Sequence, residues 1–183
     1  MSLFLKKFLE LNVMNNLFMQ GFSPNDITES TTELSFYDKS GDVFDLANAF
    51  LSIEAMTHKK LQKLCYYAKA WYLAIYDENI ISEEFEAWVH GAVQPLLYQK
   101  YRSYGFQFIP QLIISDEIIP EEFISFANQI FDSYGHLSGD DLERLNHQEE
   151  PWKKARQGLK PWQSSNNIIS EDDMKDYYRS LMQ

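Results

Sequence analysis

The stretch from Thr57 to Tyr104 constrains this chain more than any other. It runs Thr57-His58-Lys59-Lys60-Leu61-Gln62-Lys63-Leu64-Cys65-Tyr66-Tyr67-Ala68, continues with Ala70-Trp71-Tyr72, and resumes with Phe85-Glu86-Ala87-Trp88-Val89-His90-Gly91-Ala92-Val93. Thr57 can cap a helix whose apolar stripe is Leu61, Leu64, Cys65, Ala68, Tyr72 and Ile75. Asp77-Glu78-Asn79 predicts a turn. Phe85, Ala87 and Val89 then alternate with Glu86, Trp88 and His90, a period of two that predicts a strand, broken by Gly91. A helix from about Gln94 carries Leu97, Tyr98 and Tyr101 and stops at Gly105.

The flanks read in the same way. Asp42 can cap a helix to about Ser52, and Pro120 suits the first turn of a helix to Tyr134. Ile109 to Ile119 reads as extended. Ser138 with Asp141, and Ser170 with Asp173, predict two more helix starts, and Pro151 a short helix holding Trp152. Residues 1–41 read as an N-terminal appendage: a helix over 3–19, then a polar loop with a strand signal at Leu34–Tyr37. Residues 42–183 form the main domain. The expected fold is mainly α (α+β), a compact helical domain of six to seven helices with a small β element.

The chain has 183 residues and a formal net charge of −11, and residues 111–183 carry seven bases against fourteen acids. A phosphate backbone is attracted by clustered Lys and Arg, so the balance argues against nucleic acid and for a basic protein partner. It serves solubility equally well. No apolar run reaches the roughly 18 residues of a membrane span, and the N-terminus lacks a signal-peptide core. With one Cys, Cys65, there is no disulfide framework, and a cytoplasmic setting is expected.

Catalytic signals are thin. His58, His90, His136 and His147 are scattered without metal-ligand spacing. His147-Gln148-Glu149-Glu150 starts like a zincin motif, but Pro151 stands where the second His belongs. Cys65 lies in the predicted buried stripe, where a thiolate is disfavoured. No nucleophile elbow or Gly-rich phosphate loop occurs, so no catalytic, cofactor or metal residues are assigned. Lys59, Lys60 and Lys63 beside Tyr66, Tyr67 and Trp71 suggest either a base-stacking surface or an amphipathic helix with a solvated Lys edge. Tyr and Trp are enriched at binding hot spots, which favours a protein contact for the aromatic part.

Lys60-Leu61-Gln62-Lys63-Leu64, Tyr67, Trp71, Glu86-Ala87-Trp88, Gly91, Val93, Tyr98, Leu137-Ser138, His147, Pro151-Trp152 and Ala155-Arg156 together resemble the Panacea (SocA-like, phage-associated) antitoxin family, over about Asp42 to Arg179. The resemblance departs at two places. Ala92 stands where the family usually has Pro, which is expected to loosen the backbone there, and Asn146 stands where Thr is common. What the resemblance implies is an antitoxin of a two-gene toxin–antitoxin system, often on phages or mobile elements, which occludes or sequesters a cognate protein toxin. The appendage would tune the choice of partner. On this reading Lys60, Lys63, Tyr67, Trp71, Glu86, Trp88, His90 and Gly91 are candidate partner contacts. Leu61, Leu64, Cys65 and Trp152 are structural. A DNA-binding or regulatory phage protein, and a hydrolase, remain the alternatives.

Overall fold

The computed structural model describes residues 41–113 and 119–183. The helix expected over 3–19, the strand signal at Leu34–Tyr37 and part of the extended 109–119 segment lie outside the described residues. All described elements belong to one unit, Ser40–Gln183.

Among the described residues the order is α1 (Val43–Ile53), β1 (Met56–Thr57), α2 (His58–Tyr76), β2 (Glu86–Trp88), β3 (Gly91–Val93), α3 (Pro95–Tyr101), a 3-10 turn (Arg102–Tyr104), β4 (Phe108–Ile109), α4 (Glu121–Tyr134), α5 (Gly139–Asn146), α6 (Glu150–Ala155) and α7 (Glu171–Ser180). The domain is mainly helical with a small β element, as the sequence implies. The helix starts are those the polar caps predict. Asp42 and Asp45 form a capping box on α1, and Ser138 and Asp141 form another on α5. Thr57 caps α2 by accepting from Lys60 N, and Ser170 caps α7 by accepting from Asp173 N.

The β elements differ from expectation in two respects. The strand expected to run to His90 ends at Trp88, with Val89 and His90 in the turn. Gly91 does not end a lone strand. It opens β3, which folds back on β2 as an antiparallel hairpin pairing Glu86 with Val93, Ala87 with Ala92 and Trp88 with Gly91. Strand periodicity finds β2, but β3 is too short and too uniformly buried to show a period. On the other edge of β2, Ala87 N donates to Asn167 O (2.8 Å) and Ile169 N to Phe85 O (2.8 Å). β1 pairs separately with β4.

The core is organised around α2. It packs against α1, α4, α5, α7 and β3, and every residue from Leu61 to Ala74 is buried. Leu61, Leu64 and Cys65 are fully buried, and burial pushes the Cys65 thiol well up. The expectation of a solvated Lys edge is overturned, because helices surround α2. Its polar side chains instead reach the backbone of non-helical segments. Gln62 and Gln94 bond reciprocally, Nε2 to Gln94 O (3.1 Å) and Gln94 N to Oε1 (2.8 Å). Lys63 Nζ donates to Ala92 O (2.9 Å) and Lys60 Nζ to Gly135 O (2.7 Å). Lys69 Nζ donates to Glu83 O (2.7 Å) and meets Glu171 at 2.6 Å. That carboxylate also sits in the first turn of α7, where the helix dipole favours it. The far end of α2 is closed by Asp77 in the left-handed conformation and by Arg179, whose Nε donates to Ala74 O (2.9 Å).

Removing one member of a buried polar set leaves the other unsatisfied, at roughly 1–3 kcal/mol. Lys69→Ala should therefore lower stability by about 2–3 kcal/mol in urea unfolding. Glu171→Gln, at the half-exposed end of the pair, should cost under about 1 kcal/mol. Equal losses would mean that the ion pair, rather than the carbonyl bond, carries the effect.

Candidate functional site

Gly91 is where backbone and interior come closest. Its φ is +91°, and a Cβ there would lie 2.7 Å from Lys63 Cε and 2.8 Å from Asn146 Oδ1. A side chain would meet both a strained conformation and a filled space. Beside it, Ala92 N donates to Asn146 Oδ1 (2.7 Å), and Asn146 Nδ2 donates to Glu149 Oε2 (3.1 Å). Tyr178 OH donates to the same carboxyl oxygen (2.9 Å). A continuous polar link thus runs from β3 through the end of α5 and the Glu149 cap of α6 to α7. Burial pushes the Glu149 carboxyl up to about 7, partly offset by these donors. Burial likewise pushes Lys63 down to about 7.

The outer face of β2 is different. Glu86 and Trp88, two residues apart, share one side of β2, and with the turn residues Val89 and His90 they line an open cleft of about 630 Å³ together with Ser164, Ser165 and Asn166. Trp88 Nε1 donates to Glu86 Oε2 (2.6 Å), and the indole meets the Tyr98 ring at 4.9 Å. His90 is largely exposed, with Nδ1 3.1 Å from Glu143 Oε1. Glu143 also pairs with Lys59 (2.8 Å). Two residues behind the cleft hold its walls. Arg156 is buried and donates to Ala87 O (2.8 Å) on the strand side and to Gln163 O (2.6 Å) on the loop side. Trp152 Nε1 donates to Trp88 O (3.1 Å) while its ring stacks on His147 at 4.2 Å.

The sequence-predicted contacts therefore separate into two groups. Glu86, Trp88 and His90 come together on an accessible surface. Tyr67 and Trp71 do not, because both are essentially fully buried. Tyr67 stacks on Tyr134 at 4.3 Å, and Trp71 packs on Tyr178 at 4.9 Å and donates to Tyr134 OH (2.9 Å). The reading of their neighbourhood as a partner-facing surface is overturned: α7 and α4 cover that side of α2. Lys63 and Gly91 are buried against each other, and Lys60 is nearly so. Trp152 is half-buried at the edge rather than in the core. Sequence reasoning missed the roles of Glu149 and the Ser164–Asn166 wall, and placed Asn146 and Arg156 only within a pattern. A buried polar residue carries no periodic signal when its partner is a distant carbonyl or amide. Among the described residues no three His, Cys, Asp or Glu side chains gather to hold a metal ion, and no helix is long and apolar enough to cross a membrane.

Residues 61–153, just over half of the chain, match the family described as antitoxin SocA-like, Panacea domain, and the chain belongs to that family. Comparison with curated proteins and with solved structures gave no match. Ala92 and Asn146, the two positions at which the resemblance is expected to depart, are bonded to each other. Ala92 supplies an N–H that proline lacks, and Asn146 supplies the acceptor it meets. This bond ties β3 to α5.

Two outcomes test this interior. The folded Glu149 carboxyl keeps its proton to about pH 7, while in the unfolded chain it is released near its ordinary value. Unfolding thus releases a proton in that window, and the group's stabilising contribution falls as pH rises from about 4.5 to about 7. Glu149→Gln should gain on the parent across that window, by on the order of 3 kcal/mol at most, and hold level above it. Parallel stability curves would refute the assignment. Ala92→Pro should cost about 1–3 kcal/mol by leaving Asn146 short of a donor. Combined with Asn146→Thr, the two losses should sum to roughly 1 kcal/mol more than the double variant shows.

Proposed function

We propose that this chain is the antitoxin of a two-gene toxin–antitoxin system, carried on a phage or mobile element, that neutralises a cognate protein toxin in the cytoplasm by direct binding. The observation that supports this most is the family match, whose span includes the whole β2–β3 hairpin. The contact is the outer face of that hairpin, with Trp88 as its aromatic anchor and Glu86 and His90 beside it. Such half-buried aromatic groups at the mouth of a cleft are the usual carriers of binding energy. The net charge of −11 favours a basic toxin through field complementarity. Inhibition follows from occlusion, which requires no chemistry from the antitoxin.

The neighbouring gene, expressed alone, should arrest growth, and co-expression with this chain should restore it. Trp88→Ala should lose most of that rescue while remaining folded, since anchor truncation costs about 2 kcal/mol or more of binding. A harmless neighbour would refute the antitoxin reading. Full rescue by folded Trp88→Ala would move the contact off the hairpin.

A further inference from the structure

We infer that the hairpin cleft is a socket for a single cationic side chain, an arginine presented by the partner; this rests on the reading of the cleft as the toxin contact. The lining combines three elements that suit a guanidinium. The first is an aromatic surface, the Trp88 indole, over which Arg stacks favourably. The second is a carboxylate. Glu86 accepts one bond from Trp88 Nε1, and a carboxylate has sites for about four. The third is a polar wall of Ser164, Ser165 and Asn166, whose side-chain oxygens can accept from the remaining guanidinium N–H groups. The cleft's volume of about 630 Å³ accommodates one long side chain with part of its backbone.

The surrounding charges are consistent with a cation. Among the described residues, Glu86 has no basic side chain within ion-pair distance. The Arg156 guanidinium is buried and donates to the carbonyls of Ala87, Lys160, Pro161 and Gln163, so its N–H groups are already engaged. His90 Nδ1 is taken up by Glu143 Oε1 at 3.1 Å. Arg156 also fixes the distance between the walls, because it bonds to both, so the socket is present before the partner arrives. Preformed sites lose less on ordering than sites that must be assembled. Lysine fits less well, since its ammonium cannot stack as a plane or bind a carboxylate in two places.

The test uses the full chain labelled with 15N in its tryptophans, and N-acetyl-arginine amide as the probe. The indole N–H signal of Trp88, assigned with Trp88→Phe, should shift saturably, while that of Trp71 stays in place. N-acetyl-lysine amide should bind at least about threefold more weakly. Glu86→Gln should weaken the arginine probe by roughly tenfold with the Trp71 signal unmoved. An equal shift with N-acetyl-alanine amide, or unchanged binding by Glu86→Gln, overturns the socket. So does a Trp88 shift produced by a thymidine oligonucleotide and not by the arginine probe, which would make the cleft a base-stacking site. If growth rescue depends on Trp88 but the arginine probe does not bind, the socket fails and the antitoxin reading stands. If the probe binds with this specificity and the neighbouring gene is harmless, the antitoxin reading fails and the socket stands.

Discussion

Everything in this domain is arranged around a helix that water does not reach. From Leu61 to Ala74 α2 is buried on all sides, yet it carries Gln62, Lys63 and Lys69 within that stretch. A buried polar group without a partner costs more than a typical hydrogen bond returns. Each of these side chains must therefore end on a fixed acceptor or donor, and the fold supplies one in a segment that has no helix of its own. The loop before β2 and the middle of β3 are each held by one such bond, and the cap of α3 by two. The interior of α2 thus sets where the irregular parts of the chain can go.

The same device repeats outside α2. Arg156 holds both walls of the hairpin cleft through carbonyls, and Asn146 joins β3 to the Glu149 cap of α6. Main-chain acceptors are present whatever the local side chains are. A lattice that grips them leaves the outward side chains of β2 without a structural duty beyond the hairpin. Glu86, Trp88 and His90 are placed by backbone that is already fixed, and their identities are open to the demands of a partner. For a family of antitoxins this separates what holds the domain together from what faces outward.

Much of the fold is legible in the chain. Asp42, Thr57, Ser138 and Ser170 mark helix starts because a side-chain oxygen satisfies amides only a few residues away. Alternation along Phe85–Trp88 separates the inward Phe85 and Ala87 from the outward Glu86 and Trp88, because a strand's faces follow from its pleat alone, while His90 is set by the turn. The aromatic residues of α2 are the counter-example. Tyr67 and Trp71 are the same residue types that form binding anchors, and composition cannot separate a core aromatic from an exposed one. Two other helices, α4 and α7, decide the matter by covering them.

What the sequence determined by itself, then, was the set of elements, their ends, the face of β2 that points outward and the family to which the chain belongs. These depend on interactions within a few residues or on pattern. The tertiary structure decided which aromatics are buried, that Lys63 and Lys69 lie in the interior, that Ala92 meets Asn146, and that Ser164–Asn166 close a cleft against Trp88. The bonds from Lys63 to Ala92 and from Ala92 to Asn146 join residues 29 and 54 positions apart. No local pattern encodes such a distance, because the partner is chosen by the packing of whole helices around α2.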